Sequence, residues 1–416
     1  MVGGVAGRSK PSKKKRLTWV IVIVILMVIA IVGITYVGMV EYYRVVATVT
    51  VGTQPREVAY DSEKGEMFVA NYFSNTVSVI SDSTNTVVAT VPVGSGPGGL
   101  VYDSGKGEVF VANWDSNTVS VISDSSNNVV SSVAVASTPY SVAYDSGKGE
   151  VFVASTESST VSVISDSTND VIATIPWGAG SVAYDGARGE IFLAGPGCKA
   201  DFGCGQGNVS VISDVTNTVV TTIPVGSEPG GIAYDSDRGE MFVTNGDSGS
   251  VSVISDTSKA VVATIPMSTS PYEVAYDSGK GEVFVTSISG SGVTVISDES
   301  NSVVATISVG SGGNDGVAYD SGQGEVFVAT FGYGTVGVVA DGWFLGLPGY
   351  DGYYVLAGSI TLVAAAVIVV ILRRRRRDRT TNSLPIPSPD TSPPPPGPCL
   401  APEHVSQEKF LTERGP

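Results

Sequence analysis

The amino-acid sequence predicts an all-β protein: a seven-bladed β-propeller of four-stranded blades, flanked by two transmembrane helices. Three observations predict this architecture. A phrase close to AYDS recurs seven times, each copy contains four short runs rich in β-branched residues, and uncharged segments at 17–40 and 353–372 flank the copies. A four-strand unit of about 42 residues is typical of a propeller blade rather than of a helical repeat.

The repeat is defined by the tyrosine of that phrase. Successive copies are 42, 42, 40, 50, 42 and 43 residues apart, with their tyrosines at Tyr60, Tyr102, Tyr144, Tyr184, Tyr234, Tyr276 and Tyr319. In the second copy, GLVYD, SGKGEVFVAN, WDSNTVSVISD and SSNNVVSSVAV supply the predicted strands a, b, c and d. Gly, Asp, Ser and Asn separate these runs, as expected for turns. Val and Ser alternate in strand c, which places bulky and small side chains on opposite faces of the blade.

The ends of the repeat region predict how the ring closes. The seventh copy has strands a, b and c but no strand d, whereas the segment VVATVTV at 45–51 resembles strand d of other copies, such as VVATIP from Val261. We therefore predict that this N-terminal strand completes the seventh blade of a propeller spanning 45–341. Because strand c ends and strand d begins at one face of the disc, both hydrophobic segments are expected to leave from that face.

The two hydrophobic segments are long enough to cross a membrane, since a hydrocarbon core of about 30 Å needs about 20 helical residues. Segment 17–40 is interpreted as an uncleaved helix, with a cleaved signal peptide as the alternative. Basic residues lie outside both segments, in the N-terminus 1–16 and in the tail 373–416. The positive-inside rule then predicts a multi-pass cell-membrane protein with cytoplasmic termini and an extracytoplasmic propeller. The Pro-rich part of the tail is predicted to be disordered.

The repeats resemble the YVTN family of β-propeller repeats. Residues 242–245 read FVTN, residues 68–71 and 110–113 read FVAN, and NTVSVISD and VVATIP segments follow in the same order, over about 45–341. Where the family commonly has Ile-Asp after the third strand, this chain has Ile-Ser-Asp. The resemblance implies a cell-surface propeller of the kind common in archaeal and bacterial surface-layer-like proteins, without implying a reaction.

Charge and histidine content narrow the function. Residues 42–352 contain 34 Asp and Glu against 10 Lys and Arg, a net charge of −24, which disfavours nucleic acid as a partner. The single histidine, His404, lies in the predicted cytoplasmic tail. Catalytic triads and the zinc, copper or haem sites that depend on histidine are therefore excluded from the propeller. No catalytic residues are predicted, and an enzyme is not expected.

The recurring acids are explained by turns. Asp61, Glu66 and Asp82 have counterparts in every copy, and Asp before Ser or Gly commonly accepts backbone N–H groups at the start of a turn. No cofactor or metal is expected. Calcium bound by these carboxylates is the alternative, although DSGKGE lacks the alternating acidic ligands of known calcium loops.

Two covalent features are predicted near the fourth copy. Cys198 and Cys204 lie in the insertion that gives the 50-residue spacing, and an extracytoplasmic cysteine pair favours a disulfide that closes this loop. Asn208 begins the three-residue sequence Asn-Val-Ser, which matches the acceptor pattern for N-glycosylation.

Differences among the copies predict a ligand-binding face. The a–b and c–d turns barely change, whereas the d–a and b–c loops differ and carry Tyr72, Phe73, Trp114, Tyr140, Tyr272, Phe331 and Tyr333. Exposed aromatic residues often anchor recognition surfaces, and ordinary packing is the alternative. We predict a binding or adhesion module for an extracellular protein, a glycan or a cell-envelope component. The alternatives are a lyase or quinoprotein-like enzyme that uses the central channel and a structural surface-layer subunit.

Overall fold

The structure, a computed structural model, describes residues 39–177, 180–195, 207–290, 292–310 and 312–345, with side chains from Tyr43 to Ala340. Within these ranges the chain forms seven four-stranded antiparallel sheets, which confirms the all-β class and the predicted number of blades. No helix in the described ranges is long and apolar enough to span a membrane. Residues 17–38 and 353–372 of the predicted spans lie outside those ranges.

Blades I to VI each consist of four consecutive strands, a to d. Blade I contains β2 (Pro55–Asp61), β3 (Glu66–Asn71), β4 (Thr76–Ser81) and β5 (Thr86–Pro92), and blade II contains β6 (Pro97–Asp103), β7 (Glu108–Asn113), β8 (Thr118–Ser123) and β9 (Asn128–Ala134). Blade III contains β10 (Pro139–Asp145), β11 (Glu150–Ser155), β12 (Thr160–Ser165) and β13 (Asp170–Ile175), and blade IV contains β14 (Ser181–Asp185), β15 (Glu190–Gly195), β16 (Asn208–Ser213) and β17 (Thr218–Pro224). Blade V contains β18 (Pro229–Asp235), β19 (Glu240–Asn245), β20 (Ser250–Ser255) and β21 (Ala260–Pro266), and blade VI contains β22 (Val274–Asp277), β23 (Glu282–Val285), β24 (Gly292–Ser297) and β25 (Ser302–Ser308). The a strands of neighbouring blades contact one another around the ring and form the wall of a central channel.

Blade VII closes the ring as predicted. It contains β26 (Asn314–Asp320), β27 (Glu325–Thr330) and β28 (Thr335–Leu345), and its outer strand is the N-terminal β1 (Met39–Thr50). Both β1 and β28 are longer than strands d and c elsewhere, and their pairing continues to Met39 opposite Leu345. The predicted helix boundary at residue 40 is therefore wrong, because Met39 and Val40 belong to the backbone ladder of this strand pair.

The hydrophobic core lies between adjacent blades. Each strand b contributes a phenylalanine with almost no exposed surface, at Phe68, Phe110, Phe152, Phe192, Phe242, Phe284 and Phe327. Between blades I and II, for example, Val77 and Val79 pack with Leu100 and Val111. The smaller Ser78 accepts a hydrogen bond from Asn71 Nδ2 at 3.0 Å. The prediction that the large and small side chains of strand c lie on opposite faces of the blade is thus confirmed.

The a–b and c–d turns lie together at one face of the disc, here called the turn face. The Asp61 Oδ1 atom accepts the backbone N–H groups of Glu63 and Lys64 at 2.9 and 3.1 Å, and the same turn recurs in the other copies. Lys64 also reaches the c–d turn of the next blade, where its Nζ lies 3.7 Å from Asp124 Oδ1. The prediction that the recurring acids are turn residues is confirmed for this aspartate. The β1–β28 pair extends beyond this same face, since Ala340 and Arg44 pair where other blades have their c–d turns.

Candidate functional site

The repeat is broken at two neighbouring positions of the innermost strands. Counted back from the aspartate that ends each strand a, these are the fifth and fourth residues, such as Arg56 and Glu57 before Asp61. Blades II, IV and V have only Gly or Ser there. The other four blades supply six larger residues: Arg56 and Glu57 from blade I, Tyr140 from blade III, Tyr272 and Glu273 from blade VI, and Asp315 from blade VII. These six residues are called the channel cluster below, and the face on which they lie, formed by the d–a and b–c loops, is called the loop face.

Glycines in preceding blades make room for the cluster. A Cβ atom on Gly316 would lie 2.3 Å from the Arg56 carbonyl oxygen, and a Cβ atom on Gly231 would lie 2.7 Å from the Glu273 Cα atom. Real Cβ atoms do not approach other atoms so closely, so neighbouring strands can pack here only because these two residues are glycine. The Gly231 N–H also donates to the Tyr272 carbonyl at 2.8 Å, which ties the two a strands together.

A pair of tyrosines bridges blades III and VI. The hydroxyl oxygens of Tyr140 and Tyr272 are 2.9 Å apart although the residues are separated by 132 positions. Trp114 packs edge-on against the Tyr140 ring, with centroids 5.6 Å apart. Burial raises the pKa of both hydroxyls. At Tyr140, the neighbouring Tyr272 and Glu273 raise the pKa further, and at Tyr272 the charge of Asp315 does so. Both hydroxyls therefore keep their protons at physiological pH and remain hydrogen-bond donors.

Arg56 connects the cluster to aromatic residues of the loop face. Its guanidinium carbon lies 4.7 Å from the ring centre of Tyr72 and 5.6 Å from that of Phe331, both within the range of cation–π attraction. Tyr72 in turn contacts Phe73 edge-on at 5.3 Å and donates its hydroxyl to Asp115 Oδ1 at 3.2 Å. The Arg56 Nε atom is buried and has no hydrogen-bond partner among the described residues.

Three carboxyl groups of the cluster are perturbed by burial. Asp315 is 5% exposed, and burial raises its pKa to about 6 although Arg56 opposes the shift. Burial and the charge of Asp315 raise the pKa of Glu57 to about 8. Burial, followed by the charges of Glu57 and Asp315, raises the pKa of Glu273 well above its usual range. Near pH 7 the cluster therefore combines an ionised aspartate with protonated glutamic acids.

A pocket of about 470 Å³ opens beside the tyrosine pair, on the side of blades IV to VI. Its lining includes both tyrosines, Ser181, Ser270 and Ser289. A second cavity of similar volume lies between blades VII and I, against Phe73, Phe331 and Tyr333. In the part of the chain that the structure describes, no three His, Cys, Asp or Glu residues are grouped so that they could hold a metal ion.

The structure places all seven predicted aromatic residues at the loop face but not in equal surroundings. Phe73 and Tyr333 are 67% and 63% exposed, while Tyr72, Trp114 and Phe331 are half-buried. The prediction of an exposed loop position is wrong for Tyr140, which belongs to strand β10. Tyr272 precedes β22 and lies in a loop as predicted, but its hydroxyl meets that of Tyr140. A role in ligand binding stays a prediction for all seven.

Sequence reasoning missed Arg56, Glu57, Glu273 and Asp315. The recurring acids lie at turn positions, where every copy agrees, whereas these four residues occupy positions at which the copies differ. A position-by-position comparison of the a strands would have found them. Which of them approach one another could not be predicted, because that depends on distances across the disc.

The predicted covalent features are not tested by the structure. Cys198 and Cys204 lie outside the described residues. Asn208 is the first residue of β16, is half-buried and pairs with Gly195. The disulfide and the glycosylation both stay predictions.

Comparison with known proteins supports the fold. No protein-family model matches the chain, and no curated protein matches it by sequence. Among solved structures, a chain of the hydrazine synthase of Kuenenia stuttgartiensis aligns with a TM-score of 0.61 and 16% identity, over 69% of this chain and 96% of that chain. Similarity at this level of identity concerns the propeller fold alone, so the YVTN assignment stays a resemblance.

Proposed function

We propose that this protein is a membrane-anchored cell-surface recognition module whose loop face binds an extracellular protein, a glycan or a cell-envelope component. One observation carries the proposal. The positions at which the inner strands depart from the repeat converge on one channel mouth, and the aromatic residues of the variable loops surround that mouth. Propeller architecture alone needs no such convergence, since Gly or Ser occupies the same positions in three blades.

Membrane anchoring is supported by the path of the two chain ends. Met39 pairs with Leu345, so the two ends of the described strand pair, beyond which the predicted spans lie in the sequence, are side by side. About five residue steps of paired strand, roughly 17 Å, separate these ends from the pair Arg44–Ala340 at the turn face. The loop face would then point away from the membrane.

Protease digestion of intact cells tests this topology. We expect cleavage within the propeller or its loops while an epitope tag placed after residue 416 stays protected, because both termini are proposed to be cytoplasmic. After lysis the tag should also be lost. Protection of the propeller on intact cells, with cleavage only after lysis, would contradict the topology.

Binding of the purified full-length protein to cell-envelope fractions tests the recognition role. Trp114→Ala should weaken binding by about tenfold or more, because large aromatic side chains are frequent hot spots and this one supports Tyr140. Val215→Ala is the matched control, since Val215 is a 78% exposed apolar residue in a c–d turn of the opposite face. Equal binding by the two variants, both folded, would remove the loop face from the proposal.

An enzyme in the channel is the second candidate. Glu57 has a pKa of about 8 and interacts electrostatically with Asp315 and Glu273, and perturbed carboxyl groups of this kind are common where general acid–base catalysis occurs. Chemical conversion of a ligand that the wild-type protein binds would favour this candidate over simple recognition.

A further inference from the structure

The pocket beside the tyrosine pair has the size and chemistry of a small-ligand site. Its volume of about 470 Å³ lies within the range of about 300–1,000 Å³ that such sites occupy. Tyr140 and Tyr272 offer rings and protonated hydroxyls, and three serines offer further hydroxyls. Glu228, exposed at the rim, is the one charged side chain among the described residues that line it. The carboxylate at the rim disfavours an anion, and the five hydroxyl groups of the two tyrosines and three serines suit a neutral, hydroxyl-rich ligand.

Ser181 is an independent sign that the pocket receives a polar ligand. It is 5% exposed, and its Oγ atom has no hydrogen-bond partner among the described residues. A buried hydroxyl without a partner costs free energy that a bound ligand can recover. Ser141 occupies the same position of blade III, but its Oγ accepts the Val182 N–H at 3.1 Å. The Ser141 hydroxyl therefore has a hydrogen-bond partner within the protein, whereas the Ser181 hydroxyl has none among the described residues.

We infer that this pocket binds a neutral sugar, either free or as the terminal residue of a glycan. The sugar ring would lie against the tyrosines, its hydroxyls would exchange hydrogen bonds with Ser181, and the Glu228 carboxylate would accept another. The inference rests on the proposed recognition function and specifies the ligand class of the same face.

Calorimetric titration of the full-length protein in detergent micelles tests the inference. The probes are methyl glycosides of neutral hexoses and N-acetylhexosamines, and neutral oligosaccharides that end in the same sugars. A hexuronic acid and an alkyl ammonium salt serve as charged comparisons. Saturable binding of a neutral probe is expected, with little or no binding of the charged ones. Tighter binding of oligosaccharides would identify a glycan end as the source, and equal binding would identify the free sugar.

Two serine variants locate the bound sugar. Ser181→Ala should weaken binding up to about tenfold, which corresponds to one lost hydrogen bond. It should leave the melting temperature nearly unchanged, because it removes no hydrogen bond between described residues. Ser141→Ala is the matched control: it should lower the melting temperature slightly and leave sugar binding unchanged. Equal sugar binding by the wild-type protein and Ser181→Ala would overturn the assignment.

A pocket-filling variant provides a second check. A Cβ atom on Gly246 would stand 3.5 Å from the Glu228 carbonyl oxygen and from Ser270 Oγ, which is ordinary contact. Gly246→Ala should therefore fold, narrow the pocket and weaken sugar binding about tenfold. If no neutral sugar binds, or if Gly246→Ala binds it normally, the inference fails. Envelope binding that still depends on Trp114 would then leave the proposed function standing, whereas sugar binding without envelope binding would remove that function instead.

Discussion

Replacing Val49 by aspartate should strongly destabilise the folded propeller, because this residue lies in the strand that closes the ring. Val49 lies on β1, is 6% exposed and pairs with Val336 of β28. It belongs to the apolar cluster between blades VII and I, together with Val58, Met67 and Phe327. A carboxylate placed there has no partner in an apolar site, so it either pays a large desolvation cost or breaks the strand pair. We expect the free energy of unfolding to fall by about 4 kcal/mol or more.

Thr48→Asp is the matched control for this prediction. Thr48 is the preceding residue of the same strand, and its side chain is exposed. The control introduces the same carboxylate into β1 without burying it, so its effect on stability should be small. Urea denaturation of both variants, followed by tryptophan fluorescence, measures the difference. A Val49→Asp protein as stable as Thr48→Asp would show that β1 is not needed to close the propeller.

Ring closure is also the clearest case in which sequence alone was sufficient. The segment at 45–51 carries the pattern of strand d, and the seventh copy lacks one, so only the partner of that strand had to be inferred. The extension to Met39 and Leu345 could not be predicted in the same way. Residues 39 and 40 are as apolar as the segment before them, and hydropathy does not distinguish the end of a helix from the start of a strand.

The candidate site was only partly predictable, because a repeat specifies what its copies share. Variation among the loops predicted that the seven aromatic residues lie on one face of the disc, and the structure places them there. That variation did not separate Phe73, which is exposed, from Tyr140, whose hydroxyl meets that of Tyr272. The decisive contacts join residues of blades that are distant in sequence: Arg56 contacts Tyr72 of its own repeat, but it also acts on Asp315 across the ring closure. Side-chain contacts across a closed ring are a property of its geometry, which strand patterns do not contain.

The channel cluster should make the protein less stable as pH rises from about 5 to about 8. In the folded state, burial and Asp315 raise the pKa of Glu57 from an ordinary value of 4.5 to about 8, and burial raises that of Asp315 from 3.8 to about 6. When the pH lies between the unfolded and folded pKa values of a carboxyl group, the unfolded chain releases the proton of that group and the folded chain retains it. Deprotonation therefore favours unfolding across this window, and the effect levels off above the folded pKa. The shifts correspond to about 1.4 kcal/mol per pKa unit. Because Glu57 is only half-buried and solvent screens its charge, we expect a smaller loss of about 2–4 kcal/mol.

Denaturation midpoints measured at intervals from pH 5 to pH 8.5 test this prediction, and the amide variants assign it. Glu57→Gln and Glu273→Gln each remove a group that holds a proton in the folded state, so stability should fall less steeply with pH. Glu228→Gln is the control, because it removes an exposed carboxyl from the same face. Burial also raises the pKa of several glutamates of the turn face, including Glu66 and Glu108, so part of the slope should remain in every variant. If the slope is unchanged in both cluster variants, the buried carboxyls are not protonated in the folded protein. The ionised cluster would then carry two more negative charges than proposed, and a cation would become the better ligand for this channel mouth.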